Sequence, residues 1–154
     1  MGYSLTIGEA KIESYEEDGL EAQCFITADG VHMDEAPAFG EPTDHTNQRW
    51  PSYTQWYDFC EKADILPAIF ECDEYGNVTG SLRGGHPGAF PINQAFKEEI
   101  DTAYNRIKMQ AKTLDPDADI FDTDLGGIWA RIQWLKFWTD WALENCKSPV
   151  FVNS

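Results

Sequence analysis

The sequence has few basic residues and no long apolar run. Its 154 residues include 11 Lys and Arg against 27 Asp and Glu, which gives a formal net charge of −16. Proteins bind nucleic acid mainly through Lys and Arg that replace counterions on the phosphates, so direct nucleic-acid binding is disfavoured. Attachment to an anionic membrane surface is disfavoured for the same reason. Arg131, Lys136 and Asp140 interrupt the most apolar stretch, so no segment reaches the roughly 18 apolar residues of a membrane-spanning helix.

The four cysteines lack the C-x-x-C spacing that is typical of metal and redox sites. All of them lie in apolar or amphipathic segments, which predicts buried free thiols at Cys24, Cys60, Cys72 and Cys146. The first residues alternate polar and apolar side chains and lack the apolar core of a secretory signal peptide. These features together predict a cytoplasmic protein.

The familiar sequence motifs of catalysis are also missing. The chain contains no G-x-S-x-G elbow, no H-E-x-x-H pair and no phosphate loop ending in Lys-Ser or Lys-Thr. Its three histidines, His32, His45 and His86, are too far apart in sequence to form a ligand pair. The sequence therefore favours a non-enzymatic protein without a cofactor and leaves the question of catalysis open.

Periodicity and turn residues predict an α+β fold. Alternating side chains predict strands at Tyr3–Ile7, Glu9–Tyr15 and Leu20–Ile26. Residues 68–72 and 77–82 are predicted to form a hairpin, and the tail at 148–154 a short strand or a surface segment. Residues 34–51, rich in proline, are predicted to form a long irregular loop.

Three helices are predicted beside these strands. A capping box, Ser52 to Gln55, begins a helix that runs to about Ala63. A second helix is expected from Pro91 to about Leu114, and a third from Leu125 to Cys146. We therefore expect a single globular α+β domain over residues 1–154, with an antiparallel sheet of meander and hairpins packed by about three helices and the C-terminal helix at its centre.

The C-terminal helix holds four of the six tryptophans and has one narrow polar strip. At about 100° per residue that strip consists of Gln133, Lys136, Asp140, Glu144 and Lys147, and it is expected to face water. Arg131 lies opposite the strip, on the apolar side of the helix. Because a guanidinium keeps its proton, a buried one needs carboxylates, carbonyls or an anionic ligand.

Two kinds of partner for Arg131 remain open. The first is an ion pair within the domain, with Asp122, Asp124 or Glu61. The second is a carboxylate or phosphate ligand at the floor of a pocket walled by tryptophan. Other segments offer further candidates: the glycine-rich loop at residues 83–88 and the polar tip of the long loop. The predicted ligand-binding residues are Arg131, His86, Arg83, Arg49, Trp134, Trp138 and His45.

A cluster of aspartates offers a weak alternative as a metal site. Asp115, Asp117 and Asp119 match the first ligand positions of a calcium loop, with Asp122 nearby. Ile120 stands where that motif needs glycine, and Gly126 where it needs the bidentate glutamate. Stabilisation of a helix N-terminus explains these acids equally well, and we expect no metal here.

Two functions from different classes follow from these features. The favoured one is an acidic, non-enzymatic binding or accessory protein that uses an aromatic and acidic surface, with an inhibitor or mimic directed at a basic partner as the extreme form. The aromatic residues between Trp50 and Phe59 support it, because one helix face cannot hide them all. The alternative is a small-anion-binding protein or enzyme with Arg131, His86, Arg49 and Arg83 around one pocket. The acidity also has a simple explanation as a source of solubility.

Overall fold

The computed structural model describes residues 3–18, 21–31, 45–85 and 87–154. It shows the expected α+β class, an antiparallel sheet packed by helices, with four helices in place of about three. The strands are β1 (Tyr3–Asp18), β2 (Glu21–Asp29), β3 (Asn47–Trp50), β4 (Phe70–Cys72), β5 (Val78–Leu82), β6 (Gly88–Pro91) and β7 (Pro149–Asn153). The helices are α1 (Tyr53–Lys62), α2 (Leu66–Ile69), α3 (Gln94–Ala111) and α4 (Asp124–Asn145).

The main sheet has the order β2-β1-β7-β6, with β3 paired to the first residues of β1. β1 pairs with β2 along residues 9–18, with β3 along residues 3–6 and with β7 along residues 5–9. β4 and β5 form a separate two-stranded sheet. Leu5 and Ile7 of β1 are fully buried on the side that faces the helices. The same core contains the large side chains of Trp56, Trp134, Trp138, Phe96 and Phe151.

Several predicted boundaries are wrong at the strands. The first two predicted strands are one continuous strand, β1, because no residue between them breaks the extended backbone. Residues 47–50, at the end of the predicted loop, form β3. Pairing with β1 supplies the backbone hydrogen bonds of this strand, and the local sequence does not predict that pairing. Residues 34–44 of that loop lie outside the described residues. The tail forms β7, which is an interior strand of the sheet.

The helix predicted from Pro91 begins later. Pro91 ends β6, and Asn93 caps α3 by accepting a hydrogen bond from the N–H of Phe96 at 2.9 Å. An asparagine cap satisfies one of the unpaired amides of the first helical turn, so the start at Gln94 is better stabilised than a start at Pro91. The first helix begins as predicted, with Ser52 accepting from the N–H of Gln55.

The polar strip of α4 is less exposed than predicted. Lys136 and Asp140 are half-buried against α3, where Lys97 and Asp101 complete a network of four charges. Each lysine contacts both aspartates, at N···O distances from 2.6 to 3.0 Å. Because the charges are matched, α4 is able to pack against neighbours on its polar side as well as its apolar side.

The prediction that the cysteines are buried is wrong for Cys72. Cys60 is buried and Cys146 half-buried, but Cys72 is exposed because it ends the short strand β4. All three are free thiols. In the described part of the chain, no helix has the length and hydropathy needed to cross a membrane.

Candidate functional site

Arg131 occupies a core position of α4. It shares one stripe of the helix with Leu135, Trp138 and Ala142, at spacings of four, three and four residues. Those three side chains are at most 1% exposed, whereas Arg131 is half-buried. The sequence prediction that Arg131 lies on the apolar side of the helix is therefore confirmed. The stripe is therefore only partly covered by other side chains at the position of Arg131.

Two aromatic rings hold the Arg131 guanidinium. Its central carbon lies 4.3 Å from the Trp50 ring centre and 5.3 Å from that of Phe121. A ring face attracts a cation and desolvates it at the same time. Burial accordingly lowers the pKa of Arg131 from its ordinary value, although a guanidinium stays protonated at neutral pH.

The intramolecular ion pair predicted for Arg131 is not formed. Among the residues that the structure describes, no carboxylate lies within 4 Å of its nitrogens, and no hydrogen bond from it is found to Asp122, Asp124 or Glu61. Lys62 pairs with the two acids that line the same cavity as Arg131, at 2.9 Å from Asp58 and 3.8 Å from Asp124. The guanidinium is thus a desolvated cation. It contacts two aromatic rings, and no anion among the described residues neutralises its charge.

Arg131 lines a cavity of about 270 Å³ between α1 and the start of α4. We call it the Arg131 cavity. Its apolar wall consists of Trp50, Phe59, Phe121 and Ile128, and its polar groups come from Gln55, Asp58, Lys62, Thr123 and Asp124. A mostly apolar wall with a few convergent polar groups is the usual composition of a ligand site.

The segment before α4 closes one side of this cavity. A Cβ on Gly126 would lie 2.0 Å from the Ile120 carbonyl oxygen, so only glycine lets this backbone cross the helix so closely. Phe121 then lies beside Gly127, where an added Cβ would be 3.7 Å from its ring. The Asp119 carboxylate accepts from the N–H of Phe121 at 2.8 Å, which fixes the turn. These contacts place the Phe121 ring against Arg131.

Two exposed carboxylates, Asp58 and Asp124, line the cavity, and two more, Asp119 and Asp122, lie close to Phe121 in the chain. Phe121 is 60% exposed and lies in the chain between acidic neighbours. We call the exposed carboxylates of Asp58, Asp119, Asp122 and Asp124 the acidic rim. The cavity is therefore lined by two cations, Arg131 and Lys62. Its two lining carboxylates, Asp58 and Asp124, pair with Lys62, which leaves Arg131 without a described carboxylate partner.

Arg83 lies at the far end of a row of aromatic rings that starts at Arg131. The row runs through Trp50, Trp56, Phe151 and Phe90, with centroid distances of 5.4, 6.2 and 5.0 Å between neighbours. Arg83 lies 5.2 Å from the Phe90 ring and donates to the Ala68 carbonyl at 3.0 Å. It lines a different cavity, of about 520 Å³, so the structure does not bring Arg83 and Arg131 together.

The other predicted ligand residues lie elsewhere. Trp134 and Trp138 are in the core, 0% and 1% exposed, and do not line the Arg131 cavity. The carbonyl of His45 accepts from the Trp134 indole. Arg49 is exposed on β3, since the alternation that buries Trp50 turns its neighbour outward. His86 lies outside the described residues.

Two residues of the site, Trp50 and Phe121, were not among the predicted ligand residues. Trp50 belongs to the aromatic residues between Trp50 and Phe59 that were expected to contribute an exposed surface. Trp50, Trp56 and Phe59 are instead buried, and Tyr53 is exposed. Phe121 is the only aromatic residue between Lys112 and Trp129, so its place in an acidic segment was the available signal. Neither pattern indicates contact with Arg131, because that contact depends on the tertiary fold.

The largest cavity lies on the sheet and has a different chemistry. It measures about 630 Å³, and none of the side chains lining it among the described residues is ionisable. Phe25, Ile26, Ala28 and Val152 are typical of its walls. It offers apolar surface but no charged group to orient a ligand.

The aspartate cluster makes turns. Asp115 and Asp119 each accept a backbone N–H two residues later, from Asp117 and Phe121. Within the described ranges no group of three or more His, Cys, Asp or Glu side chains is arranged to hold a metal ion. No protein-family model, no curated protein and no solved structure matches this chain.

Proposed function

We propose that this chain is a non-enzymatic binding protein and that a basic protein partner docks on the acidic rim. The observation that carries this proposal is Phe121, an exposed aromatic ring that lines a cavity together with the exposed carboxylates of Asp58 and Asp124. Aromatic anchors inside a polar border are typical of protein interfaces. By binding a basic partner at this surface, the protein acts as an accessory protein or an inhibitor of that partner.

The global charge supports the same proposal. An excess of 16 negative charges creates a field that attracts cationic surfaces and accelerates their association. The same field disfavours nucleic acid and anionic membranes as partners. We also propose a cytoplasmic location, which the free thiols of Cys60, Cys72 and Cys146 favour because oxidising compartments promote disulfides.

Titration with a short oligolysine peptide whose two termini are blocked tests this proposal. We expect amide NMR signals of residues 119–127 to shift on binding, and we expect affinity to fall as NaCl is raised. Changing Asp119, Asp122 and Asp124 together to Asn should weaken binding about tenfold. A matched variant with Glu71, Glu74 and Glu144 changed to Gln loses the same charge elsewhere. Equal loss in both variants would show that net charge alone, and not the acidic rim, attracts the peptide.

A second function, binding of a small anion, is favoured by the unpaired guanidinium of Arg131. A desolvated cation without a counterion has the chemistry to accept a carboxylate or phosphate. Thermal unfolding with acetate, benzoate and phosphate tests this function, because a ligand that binds only the folded state raises Tm. The rise should vanish in Arg131→Met and persist in Arg49→Met. No rise with any of these anions contradicts this second function.

A further inference from the structure

We infer that the Arg131 cavity captures the C-terminal carboxylate of a basic polypeptide. This inference rests on the proposed function and names the part of the partner that enters the site. It joins two features that otherwise conflict, namely a cation without a described carboxylate partner and the exposed acids of the rim. A polypeptide with lysines or arginines next to its C-terminal carboxylate matches both features. Its carboxylate can bind Arg131, and its cationic side chains can bind the acidic rim.

The size of the cavity sets the first limit on the occupant. Pockets that enclose drug-sized ligands measure roughly 300–1,000 Å³, and this one measures about 270 Å³. It has room for one terminal group and its side chain. The rest of a larger molecule must lie outside, across the acidic rim.

The charge arrangement sets the second limit. A free small anion must approach a protein of net charge −16 before it reaches Arg131. Like-charge repulsion opposes that approach. An anion attached to cationic residues is instead attracted to the rim first, and its carboxylate then reaches the guanidinium as an intramolecular step.

The walls of the cavity suggest how the chain end is held. Trp50 and Phe121 contact the guanidinium through their rings, and its N–H groups make no hydrogen bond among the described residues. Those N–H groups can therefore donate two parallel hydrogen bonds to a carboxylate. Phe59 and Ile128 provide an apolar surface for the last side chain. Capture of a terminal carboxylate is an established mode of peptide recognition.

A pair of peptides tests the inference. Both contain lysines followed by a terminal leucine; one ends in a free carboxylate and the other in an amide. Binding is measured by calorimetry and by the fluorescence of the chain. We expect the carboxylate peptide to bind about tenfold or more tightly than the amide, as a charge-assisted bidentate contact requires.

Three variants show whether Arg131 is responsible. In Arg131→Met, the affinity for the carboxylate peptide should fall to the affinity for the amide peptide. Arg131→Lys keeps the charge but not the planar fork, and should retain only part of the difference. Arg49→Met, on the outward side of β3, should leave the difference unchanged. Circular dichroism and unfolding of each variant establish that it is folded.

The outcomes separate this inference from the proposed function. If the amide binds as tightly as the carboxylate and both weaken in salt, the inference is overturned and the acidic rim remains the binding surface. If an amidated peptide that carries an internal glutamate binds as tightly, an acidic side chain is recognised and the chain terminus is not. If acetate or benzoate binds at Arg131 and neither peptide does, the site takes small anions and both proposals fail.

Discussion

The indole N–H of Trp134 donates a hydrogen bond to the backbone carbonyl of His45, at an N···O distance of 2.7 Å. This bond joins the centre of α4 to the residue that precedes β3. Trp134 is 0% exposed, so its indole N–H has no access to water as an alternative acceptor. The contact therefore fixes where β3 begins, and with it the position of Trp50 above Arg131.

We expect Trp134→Phe to destabilise the fold by about 2–4 kcal/mol, because it removes a buried donor and leaves a cavity. Denaturant unfolding measures this change. Trp141→Phe is the control, since Trp141 is only half-buried and its indole makes no described hydrogen bond. A smaller loss for Trp134→Phe than for Trp141→Phe would contradict the importance of the His45 contact.

The sequence was most informative where one element determines its own structure. Ser52 and Gln55 located the start of α1, and the spacing of apolar residues placed Arg131 on the core side of α4. It was least informative where a distant partner decides. β3 and β6 have four residues each, and their strand conformation depends on pairing with β1 and β7. The contact of Phe121 with Arg131 likewise depends on a close backbone crossing at Gly126.

The two glycines at the start of α4 should respond in opposite ways to alanine. Gly126→Ala places a Cβ 2.0 Å from the Ile120 carbonyl oxygen, so the segment before the helix must move. We expect a loss of about 2 kcal/mol or more, with weaker binding at Arg131 because Phe121 moves too. Thermal unfolding and peptide titration measure the two effects.

Gly127→Ala is the matched control for this substitution. Its new Cβ would make an ordinary contact of 3.7 Å with Phe121. Since alanine favours the helix over glycine by about 1 kcal/mol, we expect Gly127→Ala to raise the free energy of unfolding. Equal destabilisation by both variants would show that the Ile120 crossing is not what requires glycine.

The four-charge network between α3 and α4 should make stability depend on pH. Burial raises the pKa of Asp101, but hydrogen bonds from Lys97 and Lys136 outweigh it, and the net pKa is lowered. A carboxyl whose folded pKa is depressed contributes stability above its unfolded pKa, and that contribution is lost as the pH falls through the folded value. We expect Asp101→Asn to lose about 1–2 kcal/mol at neutral pH, and this difference should shrink as the pH falls below the ordinary aspartate pKa of about 3.9.

The lysines of the network should give stability the opposite dependence on pH. Hydrogen bonds from Lys97 to Asp101 and Asp140 raise the pKa of Lys97, so its contribution is full below the unfolded value and is lost as the pH rises through the folded one. Asp58→Asn is the control, because the Asp58–Lys62 pair lies at the surface, where solvent screens the attraction and the pair contributes little to stability. A pH-independent difference for Asp101→Asn would mean that the variant acts through packing.

Replacing Arg131 with methionine should make the free protein more stable while removing its binding function. The guanidinium is desolvated, and among the described residues it has rings but no anion as partners. Methionine fills the same space without that charge, and the loss of two cation–π contacts offsets part of the gain. We expect Tm to rise, with a gain of about 1 kcal/mol in the free energy of unfolding.

Arg106 provides the comparison for this last experiment. It donates to the Ala63 carbonyl and lies 3.6 Å from Asp64, so it has the partners that Arg131 lacks. Arg106→Met should therefore destabilise the fold. A stabilising Arg131→Met beside a destabilising Arg106→Met would support a ligand-binding role for Arg131, because the half-buried charge would then cost stability in the free protein. If Arg131→Met instead costs more than about 2 kcal/mol, its role is structural and the Arg131 cavity loses its main support.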